Sequence, residues 1–159
     1  MASSDIVIAP ESPRSADVTA LIRELDAYQS ALYPPESNHF LDIEALSAPD
    51  IRFVVARRDG VAIGCGALRV CDDYGELKRM YVHPRERGNG IGTRILATLE
   101  EIARHEGLPV MRLETGIAQP EALSLYEAAG YANCAPFGEY QPDVLSRFMQ
   151  KRLGARSRA

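Results

Sequence analysis

The residues best suited to chemistry stand in one short run, Arg87-Gly88-Asn89-Gly90-Ile91-Gly92-Thr93. An apolar stretch ending in Tyr81-Val82-His83-Pro84 precedes it, and a helix-period pattern follows. Glycine allows backbone angles closed to other residues and lets the chain approach a ligand closely. The first amides of a helix have no internal partner and lie at the positive end of its dipole, so a glycine-rich turn into a helix makes an anion site. The dinucleotide-binding pattern would need a third glycine where Thr93 stands. The phosphate loop of nucleotide triphosphatases would need Gly-Lys-Ser/Thr, which is absent. What remains is Arg-x-x-Gly-x-Gly, at Arg87, Gly90 and Gly92.

The bulk composition narrows the ligand. The chain has 159 residues, 46% hydrophobic and 25% charged, with a net charge of -4. That is the size and make-up of one globular domain, and nothing global favours nucleic acid. Lys78, Arg79, Arg85 and Arg87 cluster locally, which suits a small anionic ligand better than a polyanion. Cys65, Cys71 and Cys134 form no disulfide framework, and neither they nor His39, His83 and His105 have metal-ligand spacing, so no metal is expected. No apolar run approaches the ~20 residues of a membrane span, and Met1 to Pro10 does not resemble a signal peptide. A cytoplasmic protein with no membrane partner is the expectation.

The elements that must position the loop can be read from periodicity. Asp5 to Ala9 is an expected strand. Val18, Leu21, Ile22, Leu25 and Leu32 then recur at helical spacing, with Ser15 able to cap the start and Tyr33-Pro34-Pro35 to stop the helix. Asn38 to Leu46 is a second, shorter helical segment. Ile51 to Arg57, Val61 to Val70 and Glu76 to His83 read as an antiparallel meander, turned at Asp59-Gly60 and at Asp72 to Gly75. Val61, Ile63, Cys65 and Ala67 are expected to alternate along its middle strand. From Gly90, Ile91, Ile95, Leu96, Leu99, Ile102 and Ala103 mark one helical face. Val110 to Glu114 is a short buried strand, Pro120 to Ala129 a helix stopped at Gly130, and Ser146 to Leu153 the last strand. Strand, helix and strand over Glu76 to Glu114 imply a parallel crossover in a mixed sheet. One domain over 1–153 with a frayed tail over 154–159 is expected.

From Ile51 to Tyr131 the chain resembles the GNAT (GCN5-related N-acetyltransferase) superfamily, within it a bacterial subgroup of N-acetyltransferases. The loop at Arg87 to Gly92, the strand Glu76-Leu77-Lys78-Arg79-Met80-Tyr81-Val82, and Ala122-Leu123-Ser124-Leu125-Tyr126 with Gly130-Tyr131 carry the likeness. The resemblance implies an α/β (α+β) fold, a mixed, mostly antiparallel central sheet of six to seven strands flanked by about four helices. It implies direct transfer of an acetyl group from acetyl-CoA to an amine in a ternary complex. Arg87, Gly88, Asn89, Gly90, Ile91, Gly92 and Thr93 would then hold the pyrophosphate. Met80, Tyr81 and Val82 would align the pantetheine arm, which lies beside the strand like an added one. The Met80 amide would polarise the thioester carbonyl. Gln119, where the family often has asparagine, is a further cofactor position. Tyr126 falls at the family's general-acid position. Glu76 or Glu114 is the base that frees the amine of its proton. Tyr33, Glu36, His39, Arg79, Phe137 and Tyr140, with Glu139, are candidates for the acceptor pocket. The acceptor is expected to be a small-molecule amine, the alternatives being a protein lysine or N-terminus, or a non-catalytic acetyl-CoA sensor. A homodimer is possible by the same resemblance.

Overall fold

The computed structural model describes residues 5–33 and 42–154. Glu36 and His39, the first part of the second expected helix, and the tail beyond Gly154 lie outside them. The described residues form strands β1 (Ile6–Pro10), β2 (Ile51–Arg58), β3 (Val61–Val70), β4 (Gly75–Val82), β5 (Val110–Gly116), β6 (Ala132–Asn133) and β7 (Ser146–Arg152). The helices are α1 (Ala16–Leu32), α2 (Ile43–Leu46), α3 (Ile91–His105) and α4 (Pro120–Ala128). The strands make one seven-stranded sheet in the order β1-β2-β3-β4-β5-β7-β6. Only β4 and β5 pair in parallel.

Each face of the sheet is covered by the helices the apolar spacing announced. Ile91, Ile95, Leu96, Leu99 and Ala103 of α3 pack with Leu77, Met111 and Leu113 on one face. Val18, Leu21, Ile22 and Leu25 of α1 pack with Phe53, Val55, Cys65, Ala67 and Tyr81 on the other. Arg57 ties β2 to the start of α1 through Glu11 and Asp17.

Several boundaries differ from the sequence reading, for local reasons. β1 runs on through Pro10, which a strand tolerates at the edge of a sheet. Ser15 stands at the cap of α1 but makes no side-chain cap bond. Asp42 caps the short α2 by accepting from the Ala45 amide at 2.8 Å. His83 leaves β4 and accepts from the Arg85 amide, opening a 3-10 turn at Pro84–Glu86. The two-residue β6 is too short to carry a period. In β3, Ile63 and Cys65 do not share a face: the register slips opposite Ala56/Arg57, so Ile63 joins the α3 side and Cys65 the α1 side.

A second slip matters more. β3 and β4 pair Ala67 with Lys78 and Cys65 with Tyr81, so Gly66 faces both Arg79 and Met80. Arg79 is the extra residue, at φ 56. Its side chain is 1% exposed and is ion-paired with Asp26 of α1. The Cys65 thiol, which burial pushes up to about 12, donates to the Arg79 carbonyl at 3.3 Å. The inserted residue reverses the alternation beyond it, so that Met80 and Val82 pack toward α3 and Tyr81 toward α1.

Asp26→Ala removes the carboxylate facing a buried guanidinium. It is expected to cost about 1–3 kcal/mol in urea unfolding, a charge-assisted bond's worth.

Candidate active site

The site lies where β4 and β5 part. They pair only at Gly75↔Met111, Glu76↔Arg112 and Leu77↔Leu113. Beyond Leu77 both strands continue, β5 held on its other side by β7 as far as Gly116↔Ser146. A strand edge is thereby opened inside the sheet, and two cavities meet there.

The larger, a cleft of about 300 Å³, runs from that edge to the start of α3. Met80, Tyr81, Val82, Arg87, Gly88, Gly90, Ile91, Gly92, Thr93, Gln119 and Tyr126 all line it. Gly90 is the N-cap of α3 at φ 75, a left-handed angle that favours glycine. No side chain caps this helix and no acidic residue stands in its first turn. Its first amides therefore lie at the positive end of the helix dipole with no side-chain cap.

The side chains of two loop residues, Asn89 and Arg87, have partners within the protein. Asn89 does not line the cleft; its amide donates to the Glu86 carbonyl at 3.2 Å and braces the turn. The Arg87 guanidinium lies 5.6 Å from the ring centres of both Tyr28 and Tyr81, and its Nε donates to the Val82 carbonyl at 3.0 Å. Cation–π attraction thus turns the side chain onto α1 and β4.

The second cavity, about 90 Å³, lies deeper in the split and shares Met80, Gln119, Ala122 and Tyr126 with the first. Tyr33, Arg79, Glu114 and Tyr140 line it, bringing four sequence candidates together. Tyr126 is 6% exposed, and no described residue hydrogen-bonds its hydroxyl. Burial, then the Glu114 charge, holds its phenol above the ordinary range, so it is protonated at neutral pH. Glu114 accepts from Ser146 Oγ at 2.6 Å. The Tyr33 hydroxyl donates to Gln119 Oε1 at 3.3 Å and accepts from the Ala118 amide at 3.1 Å. Tyr33, the C-cap of α1, thus holds Gln119 at the N-cap of α4.

Glu76 and Phe137 fall elsewhere. Glu76 is 3% exposed and lines an outer groove of about 730 Å³, on the far side of Tyr140. The Tyr140 hydroxyl donates to Glu76 Oε2 at 2.6 Å, and Lys78 Nζ lies 3.0 Å from the same oxygen. Glu139 lines this groove as well. Phe137 lines none of the three spaces; it packs edge-on against Tyr74, Tyr140 and Phe148 and supports the Tyr140 ring. Sequence reasoning missed Tyr28, Gln29 and Asp26, and it placed Lys78 in a basic cluster without its partners Glu76 and Tyr140. Strand alternation puts Lys78 beside Glu76, a signal that was available; nothing marked Asp26.

These features match known proteins. A family model described as acetyltransferase (GNAT) family matches residues 18–131. The chain belongs to the GNAT acetyltransferases. The IAA acetyltransferase of Azospirillum brasilense is 50% identical over 151 residues, covering 94% of this chain and 99% of that protein. The solved structure of a Klebsiella pneumoniae protein, assigned as an acyl-CoA N-acyltransferase, superposes with a TM-score of 0.80 at 38% identity, over 94% of this chain and 98% of that one. The PaiA N-acetyltransferase of Thermoplasma acidophilum, solved in complex with coenzyme A, shares the fold at a TM-score of 0.70 and 22% identity, over 93% and 99%. This GNAT domain is thus an acetyltransferase with the mixed, mostly antiparallel sheet of its family. No helix of the described residues is long and apolar enough to cross a membrane. No group of three or more His, Cys, Asp or Glu among them could hold a metal ion.

A Cβ on Gly116 would lie 1.8 Å from the Tyr33 hydroxyl oxygen, whereas one on Gly154 would meet nothing within 4 Å. Gly116→Ala is expected to displace Tyr33 and cost about 1–3 kcal/mol in thermal unfolding, with Gly154→Ala near neutral.

Proposed function

We propose that this chain acetylates the primary amine of a small molecule by direct attack on acetyl-CoA. The observation that carries the reading is the inner cavity of about 90 Å³, walled by Tyr33, Glu114 and Tyr140 and opening onto the cleft beside Tyr126. A space of that size suits the compact end of an amine. The cleft fits the donor. An uncapped helix N-terminus behind a left-handed glycine suits a pyrophosphate. The open edge of β4 suits an arm that adds as a strand.

Acetyl-CoA supplies the activated acetyl thioester; the chain's residues orient it and move protons. Amides of Gly88 to Thr93 would hold the pyrophosphate. The Met80 amide, at the bulge, would donate to the thioester carbonyl as charge develops there. Tyr126, protonated and facing both cavities, would give its proton to the departing thiolate. Glu76, screened from the inner cavity by Tyr140 and Lys78, or Glu114, which lines that cavity, would take the amine's proton.

Calorimetric titration of acetyl-CoA is expected to show micromolar binding, lost in Gly90→Val, whose φ of 75 a β-branched residue resists. Tyr126→Phe is expected to keep that binding and slow turnover of a primary-amine panel by about 100-fold. No binding by the unaltered chain would remove the donor site. Turnover of peptides but not of small amines would move the acceptor to protein.

A further inference from the structure

We propose that Tyr140 is a proton relay: its hydroxyl takes a proton from the acceptor ammonium in the inner cavity while passing its own to Glu76, which releases it into the outer groove. The proposal rests on the acetyl-transfer reading above and states by which route the proton leaves.

Geometry carries it. Glu76 lines the outer groove and not the inner cavity, whereas Tyr140 lines both. Tyr140 donates to Glu76 Oε2 at 2.6 Å, so a hydrogen bond leads through the wall that Tyr140 and Lys78 form between the two spaces. A phenol oxygen donates one hydrogen bond while accepting two, the valence a relay requires. Phe137 and Phe148 hold the ring edge-on, at 5.2 and 5.5 Å. Lys78 of β4 donates to the Tyr140 hydroxyl and pairs with Glu76, so its charge offsets the carboxylate's. Burial, then the Glu76 charge, pushes the Tyr140 phenol up, so Tyr140 passes a proton on and does not itself stand ionised as a base. Glu114 of β5 also raises the Tyr140 phenol, and Arg69 of β3 opposes it.

The chemistry balances. An ammonium and a thioester give an amide, a thiol and one proton. An ammonium N–H bond breaks and a bond to Tyr140 Oη forms, as the Tyr140 O–H bond breaks and Glu76 Oε2–H forms. Tyr140 is neutral before and after, and Glu76 yields the proton to water in the groove. The freed lone pair then makes the C–N bond, the thiolate leaves with the C–S electron pair, and Tyr126 protonates it. The second nitrogen proton replaces the one Tyr126 gave.

Tyr140→Phe tests this, because it keeps the ring contacts and removes only the hydroxyl. The rate kcat/KM is measured at neutral pH with the fastest of a panel of small primary alkylamines, and with hydroxylamine, which is already uncharged there. The alkylamine is expected to lose about 100-fold or more and hydroxylamine less than about 3-fold. The alkylamine loss should shrink as pH rises toward that amine's own pKa of ~10. Glu76→Gln should give the same pattern, and the double variant should be no slower than the slower single. Equal losses on both acceptors, or no loss on the alkylamine, would overturn the relay and leave acetyl transfer standing. An unaltered chain that binds acetyl-CoA yet turns over no amine of the panel would overturn both.

Discussion

Arg79 adopts a left-handed angle in mid-strand, which costs a side-chain-bearing residue about 1–2 kcal/mol. The surrounding structure holds it there from two sides: Asp26 of α1 takes the guanidinium, and the Cys65 thiol donates to the carbonyl. This bulge sets the rest of the site. It turns Met80 and Val82 toward α3 and bends β4 away from β5 just beyond Leu77. With a regular strand in its place, Met80 would keep the parity of Glu76 and Lys78 and face α1. The cleft between the loop and the split would then lose its floor.

Two polar systems meet at that opening and are kept apart by position. On the cleft side stand the uncapped start of α3 and a protonated Tyr126, both suited to an anionic, electron-accepting donor. On the other stand Glu114, Glu76, Lys78 and Tyr140, suited to a group that arrives as a cation and must leave neutral. α1 touches both systems: Tyr28 stacks on Arg87, Asp26 pairs with Arg79, and Tyr33 holds Gln119 and the Ala118 amide. A shift of α1 would therefore move the loop, the bulge and the start of α4 together.

The larger elements were legible because burial writes a period into the chain. The faces of α1 and α3, the meander β2 to β4 and the parallel crossover all follow from apolar spacing and turn residues. The glycine turn into α3 was legible because glycine positions and the helix start are local. What was not legible depends on non-local pairing. The inserted residue at Arg79 leaves no mark in Leu77-Lys78-Arg79-Met80-Tyr81, and it inverts the faces that simple alternation assigns. The slip at Ile63 misleads in the same way. Phe137 was a candidate for the acceptor pocket by its place before the last strand, yet three rings surround it. Asp26 carries no local signal, since its role exists only once α1 lies across β4.

The free edge of β4 beyond the bulge is positioned to receive the donor's arm as an added strand. The most direct measurement is residue-resolved amide hydrogen exchange with and without acetyl-CoA. New protection is expected at the Met80 and Val82 amides, together with Gly88 to Thr93, while β2 and β7 stay unchanged. Binding that protects the loop but leaves Met80 and Val82 exchanging as before would contradict it.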